Sequence, residues 1–213
     1  MKIFNLRLAL QTAVLAIATA FPAAGRAADK SIDSVPRQSF EAKLEYCKTC
    51  HGLSGQGYRG YFPMPRLAGQ QPKYIENQLR AFVERTRTNP VMSNVAHALS
   101  PGMIAALAEH FKALNPPPIG GAPRDSLALG KTIYELGLPE ANVPACSACH
   151  GPDAKGAGEI PRLAGQLFPY TVKELTSWSK ERGENLSALM MPTSHNLTQS
   201  QIAAVAAYVS TLK

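Results

Sequence analysis

The 213-residue chain carries little charge and few chemically distinctive residues. Asp, Glu, Lys and Arg make up 17% of it, and it holds one tryptophan and four cysteines. With 45% hydrophobic residues, such a composition excludes disorder as the default and suits one large domain or two small ones. No segment alternates apolar and polar residues with β-branched enrichment, so a sheet-based fold is not expected. No basic run is interleaved with aromatics, which excludes nucleic-acid binding. The densest basic cluster, RAFVERTR at 80–87, reads as a solvated helix face. Beyond the N-terminal residues, no run is apolar enough to span a membrane.

The N-terminus is different. Lys2 and Arg7 precede an apolar run from Leu8 to Phe21, and small residues follow. The run is short for a membrane span and is broken by Gln11, Thr12 and Thr19, so it reads as a secretory signal peptide over 1–27, cut after Ala27. The mature protein is therefore expected in the periplasm. Losing Lys2, Arg7 and Arg26 reduces the formal +7 to about +4.

All four cysteines fall in two copies of one pattern, CKTCH at 47–51 and CSACH at 146–150, offset by 99 residues. PRLAGQ also occurs twice, at 65–70 and 161–166, offset by 96. The pairing extends to Tyr74 with Tyr170, Phe82 with Trp178, Met92 with Met190, His97 with His195, Leu99 with Leu197 and Ser100 with Thr198. Offsets this steady mark an internal duplication. Between the copies, NPPPIGGAPRDS at 115–126 joins prolines that cannot continue a helix to a glycine pair that favours irregular backbone. This gives a first domain at 28–115, a linker at 116–123 and a second domain at 124–213.

Each half reads as helical. SPGMIAALAEHFKAL offers Ser100 as an N-cap, Pro101 at the first helical position, and Ile104, Leu107, Ala108, Phe111 and Leu114 at helical spacing. TQSQIAAVAAYVSTL repeats this with Thr198 as cap and Ile202, Val205, Ala206, Val209 and Leu212 on one face. Middle helices are expected in PKYIENQLRAFVERT and FPYTVKELTSWSKER, and helices leading to the cysteines in FEAKLEYC and SLALGKTIYELG. The fold class is all-α, about three helices per half with long loops. The paired aromatics are expected to fill the cores.

In C-x-x-C-H, two thiols one helical turn apart can add to the two vinyl groups of a haem while the next residue delivers an imidazole to the iron. A thiol–disulfide oxidoreductase would show a strand before its motif, a zinc site would need further ligands in the same half, and a structural disulfide would not require the histidine. Two haem c groups per chain follow, attached through Cys47 and Cys50, and Cys146 and Cys149, with His51 and His150 as proximal ligands. A ligating imidazole ordinarily donates its other N–H to a carbonyl or carboxylate. Pro65 and Pro161 are positioned to accept from His51 and His150. Arg66 and Arg162 are the candidate partners of the haem carboxylates, since a buried carboxylate needs a cation.

Methionine opposite histidine closes the sixth position and raises the potential relative to two histidines. Met92 sits in a polar loop, TNPVMSNVAHALS, seven residues before Leu99. Seven residues before Leu197 is Met190, with Met191 the alternative one residue on. His97 and His195 are the rival sixth ligands, while Met64 and Met103 read as core filling.

With these motifs assembled, the sequence resembles the dihaem cytochrome c4 family over nearly the whole mature chain. The resemblance rests on the two C-x-x-C-H motifs, the doubled PRLAGQ, the methionine ahead of ALS and NLT, and the proline-rich linker. It implies two tandem class I cytochrome c domains with adjacent haems, in a periplasmic carrier taking electrons from respiratory donors to a haem-copper terminal oxidase, with no catalytic residue of its own. The alternatives are a cytochrome subunit of a periplasmic dehydrogenase, or a dihaem redox enzyme with one open haem site. The chain departs from the family pattern in ELGLPEANVPA before Cys146 and in the Met190/Met191 doublet.

Overall fold

The structure, a computed structural model, describes residues 35–182 and 190–213. The expected signal peptide at 1–27 and its cleavage site lie outside these residues. In chain order the helices are α1 (Arg37–His51), α2 (Pro72–Val83), α3 (Pro90–His97), α4 (Pro101–Ala113), α5 (Leu127–Leu136), α6 (Ser147–His150), α7 (Phe168–Glu181), α8 (Met190–His195) and α9 (Gln199–Thr211). Among the described residues there are isolated β-bridges but no extended strand. No single described helix is long and apolar enough to cross a membrane.

Two separate cores form, one in each half. The first gathers Leu44 from α1, Ile75 from α2 and Met103, Leu107, Ala108 and Phe111 from α4. The second gathers Ile133 and Tyr134 from α5, Val143, and Ile202, Val205 and Val209 from α9. Both cores rest on a capped final helix. Ser100 accepts from the Met103 amide, and Thr198 and Gln201 form a reciprocal capping box, so orphan donors at each helix start are satisfied. In the second half, α5 crosses α9 so closely that a Cβ on Gly130 would collide with the Ala204 carbonyl.

The halves differ where the sequence departs from its own repeat. In the first, α1 runs unbroken through Cys47, Cys50 and His51. In the second, α5 stops at Gly137, a 3-10 turn covers Pro139–Ala141, Leu138 bridges to Val143, and the chain restarts as α6. The detour returns Cys146 to the core beside Ile133, so the insertion lengthens the approach without moving the thiol out of place. Met92 lies in the first turn of α3, with Pro90 at the helix start and Asn89 accepting from the Met92 amide, rather than in the loop read from the sequence. Polar composition suggested a loop there; the Asn-Pro cap signal was the better guide.

Candidate haem sites

Each half places its C-x-x-C-H pair on one helical turn with the histidine buried at the helix end. Cys47 and Cys146 are partly buried beside the cores, Cys50 and Cys149 are exposed, and none of the four forms a disulfide. Burial pushes the Cys47 thiol up and takes the Cys146 thiol up to about 11. A thiol–disulfide oxidoreductase depends on a depressed thiol pKa, the opposite of the direction in which burial moves Cys47 and Cys146.

The chain after each histidine folds back tightly. Gly57 donates its amide to the His51 carbonyl, and Gly156 does the same to His150. Both glycines hold positive φ where a side chain would strike backbone, Arg66 N and Met64 O around Gly57, Ile160 O and Pro161 O around Gly156. This turn brings the Pro65 carbonyl to 2.9 Å from His51 Nδ1, and the Pro161 carbonyl to 2.9 Å from His150 Nδ1. A carbonyl can only accept, so Nδ1 carries the proton and Nε2 keeps its lone pair. Burial lowers both histidine pKa values, with the carbonyl bonds opposing it in part. Neutral imidazoles with an unprotonated Nε2 are what a haem iron requires, and no other cluster of metal-ligating side chains exists among the described residues. The donor set fits haem c.

Arg66 and Arg162 are nearly buried. Arg66 gives Nε to the Ala68 carbonyl and Nη2 to the Pro116 carbonyl in the linker; Arg162 gives Nε to the Ala164 carbonyl. Burial brings Arg66 down to about 10, the charge of Arg162 adding to the effect, and burial likewise lowers Arg162. Carbonyls satisfy these donors without neutralising them, and a buried cation favours an anionic partner. The indole N–H of Trp178 is also buried with no acceptor among the described residues.

Met92 is half-buried in α3, and Met190 is half-buried at the start of α8. Met191 is 39% exposed and, with Leu175, Trp178, His195 and Ile202, borders a cavity of about 150 Å³. His97 uses Nδ1 on the Ser93 carbonyl of its own helix at 2.7 Å, and its side chain, like that of His195, is exposed.

Two features of the seam between the halves went unread in the sequence. The glutamines closing PRLAGQ exchange across it. Gln166 Oε1 accepts from the Arg66 amide at 2.8 Å and its Nε2 donates to the Arg66 carbonyl, while Gln70 does both to Arg162. A hexapeptide repeated without change was the available signal. Further along the seam, Arg87 and Arg182 bridge antiparallel and share Glu174 and Gln78. Arg87 also donates to Tyr170 Oη, and Arg87 and Arg182 lie over the rings of Phe82 and Trp178. Arg87 is thus buried rather than part of a solvated face, and these aromatics line the seam rather than only the cores.

An all-helical fold in which each C-x-x-C-H turn presents a carbonyl-anchored histidine defines a c-type cytochrome. The cytochrome c family model matches residues 127–213. The chain is 39% identical to cytochrome c-552 of Acidithiobacillus ferridurans, covering 78% of this chain and 73% of the relative. It is 36% identical to the thiosulfate dehydrogenase electron acceptor of Thiomonas intermedia (strain K12), covering 77% of each. The solved cytochrome c4 of Acidithiobacillus ferrooxidans superposes with a TM-score of 0.71 at 38% identity, covering 79% of this chain and 99% of that one. The chain belongs to the cytochrome c4 family, with its two-domain class I cytochrome c fold, and is an electron-transfer protein.

Proposed function

We propose that the protein is a periplasmic dihaem carrier, with haem 1 bound by Cys47, Cys50, His51 and Met92, and haem 2 by Cys146, Cys149, His150 and Met190. The observation that carries this reading is the same arrangement built twice, a C-x-x-C-H turn whose histidine is held through Nδ1 by a proline carbonyl 2.9 Å away. Bound haem supplies reversible one-electron exchange at iron. The chain does the rest. Its cysteines fix the ring, its histidines are held in one tautomer, and its methionines close the sixth positions. Arg66 and Arg162 would supply the buried positive charge that the haem carboxylates need. Steady offsets from the capped helices favour Met190 over Met191. The domains are 28–115 and 124–213, joined by 116–123, and residues 1–27 are the export signal.

The acceptor is a haem-copper terminal oxidase. A relative named as the electron acceptor of thiosulfate dehydrogenase supports a second arrangement, in which a periplasmic dehydrogenase of that kind is the donor. Stopped-flow reduction of the ferric protein by a thiosulfate dehydrogenase with thiosulfate, followed by cyanide-sensitive reoxidation by oxidase-containing membranes, tests both ends. No reduction removes that donor, and no reoxidation removes the oxidase. Ready binding of carbon monoxide to one reduced haem would contradict the closed-site carrier and favour an enzyme.

A further inference from the structure

We propose that each haem is tuned by a glutamine of the opposite domain, Gln166 acting on haem 1 and Gln70 on haem 2. The inference rests on the assignment of His51 and His150 as iron ligands. The link is a single peptide unit in each half. The Pro65–Arg66 peptide accepts from His51 Nδ1 at its carbonyl, 2.9 Å away, and donates its N–H to Gln166 Oε1 at 2.8 Å. The Pro161–Arg162 peptide accepts from His150 Nδ1 at 2.9 Å and donates its N–H to Gln70 Oε1 at 2.7 Å.

Both glutamines are locked in this orientation. Gln166 Oε1 also accepts from the Leu167 amide, and its Nε2 donates to the Arg66 carbonyl. Gln70 Oε1 also accepts from the Gln71 amide, and its Nε2 donates to the Arg162 carbonyl. Two N–H donors on one atom leave no alternative amide flip. His51, Arg66, Gln166, His150, Arg162 and Gln70 are all buried, so bonds in series polarise one another.

The direction of the effect follows from the amide. An acceptor on the peptide N–H shifts electron density to the peptide oxygen, which then draws more strongly on the imidazole N–H. The imidazole gains anionic character and becomes a stronger donor to ferric iron, which lowers the potential. Gln166 and Gln70 touch neither iron nor haem in this scheme; they are positioning residues acting through the peptide. Coupling is reciprocal, so the oxidation state of one haem also alters the strength of a seam contact made by the other domain.

The test uses the holoprotein and its Gln166→Met and Gln70→Met variants, with NMR-followed redox titration of haem methyl signals assigned to each domain. Gln166→Met should raise the potential of haem 1 and leave haem 2 in place; Gln70→Met should do the reverse. The ferrous-state Arg66 amide and His51 ring N–H signals should move upfield in Gln166→Met. Gln166→Glu, which keeps an acceptor and adds charge, should lower the haem 1 potential by more than that of haem 2 and serves as the readout if the methionine variant does not fold, an equal fall of both overturning the proposal. A shift in the mutated glutamine's own domain, no shift, or a joint fall of both haems from water entering a loosened seam would overturn the proposal. If the wild-type His51 ring signals lack the shifts of an iron ligand, the ligand assignment itself fails, an outcome separate from these.

Discussion

Met190 and Met191 differ in what the fold asks of them. Met190 stands at the head of α8, matching Met92 in α3, while Met191 is 39% exposed beside a cavity bordered by Trp178 and His195. Met92→Ala should abolish the Met–iron charge-transfer band of haem 1, and Met190→Ala that of haem 2, each opening its haem to cyanide. Met191→Ala should leave both bands, as optical spectra of the ferric variants would show. Arg66 acts by charge. If it faces the haem 1 carboxylates as proposed, replacing it with leucine removes a buried cation from that site, favours the ferric state and should lower that haem's potential in a redox titration.

At the scale of the helices, the second half depends on its last one. Thr198→Ala removes the capping box of α9 and should cost about 1 kcal/mol, seen calorimetrically as a fall in Tm of roughly 2–4 °C. Gly130→Ala is more severe, because the added methyl meets the Ala204 carbonyl across the α5/α9 crossing and α5 must move. These elements also show what the sequence made legible. Ser100 and Thr198 were readable as caps because Ser or Thr before a helical apolar stripe has a local cause. The cysteine turns were readable because covalent haem attachment needs one fixed spacing. The short helix holding Met92 was masked by its polar composition. The break between α5 and α6 was signalled by Gly137, Pro139 and Pro144, but the path by which Val143 and Cys146 both return to the core is set by tertiary packing and has no local signature.

In the whole molecule, the seam is built by pairs of residues about 100 positions apart, which no local window brings together. The sequence displayed PRLAGQ twice but not that its glutamines exchange, and it left Arg87 looking like one more surface cation. Glu174 is the hinge of this seam's electrostatics. Burial alone would raise its pKa, but Arg87 and Arg182 hold it below the usual carboxylate range. A carboxylate depressed in the folded state adds stability above its ordinary pKa, and that stability is lost as pH falls through its lower folded value. Acid should therefore open the seam before it unfolds the domains, visible as a rise in radius of gyration by small-angle scattering. Glu174→Gln leaves two buried guanidiniums without an anion and should destabilise the seam at neutral pH by about 3–5 kcal/mol, measured by urea denaturation, with the acid-induced opening lost.

The central claim is two closed, His/Met-ligated haems on one chain. A haem count by the alkaline pyridine spectrum, combined with proton NMR of the reduced protein, tests it most directly. Two covalent haems per chain and two separate upfield methionine methyl signals, one lost in Met92→Ala and the other in Met190→Ala, are the expected result. A single haem, or a second haem that is high-spin or ligated by two histidines, would contradict it.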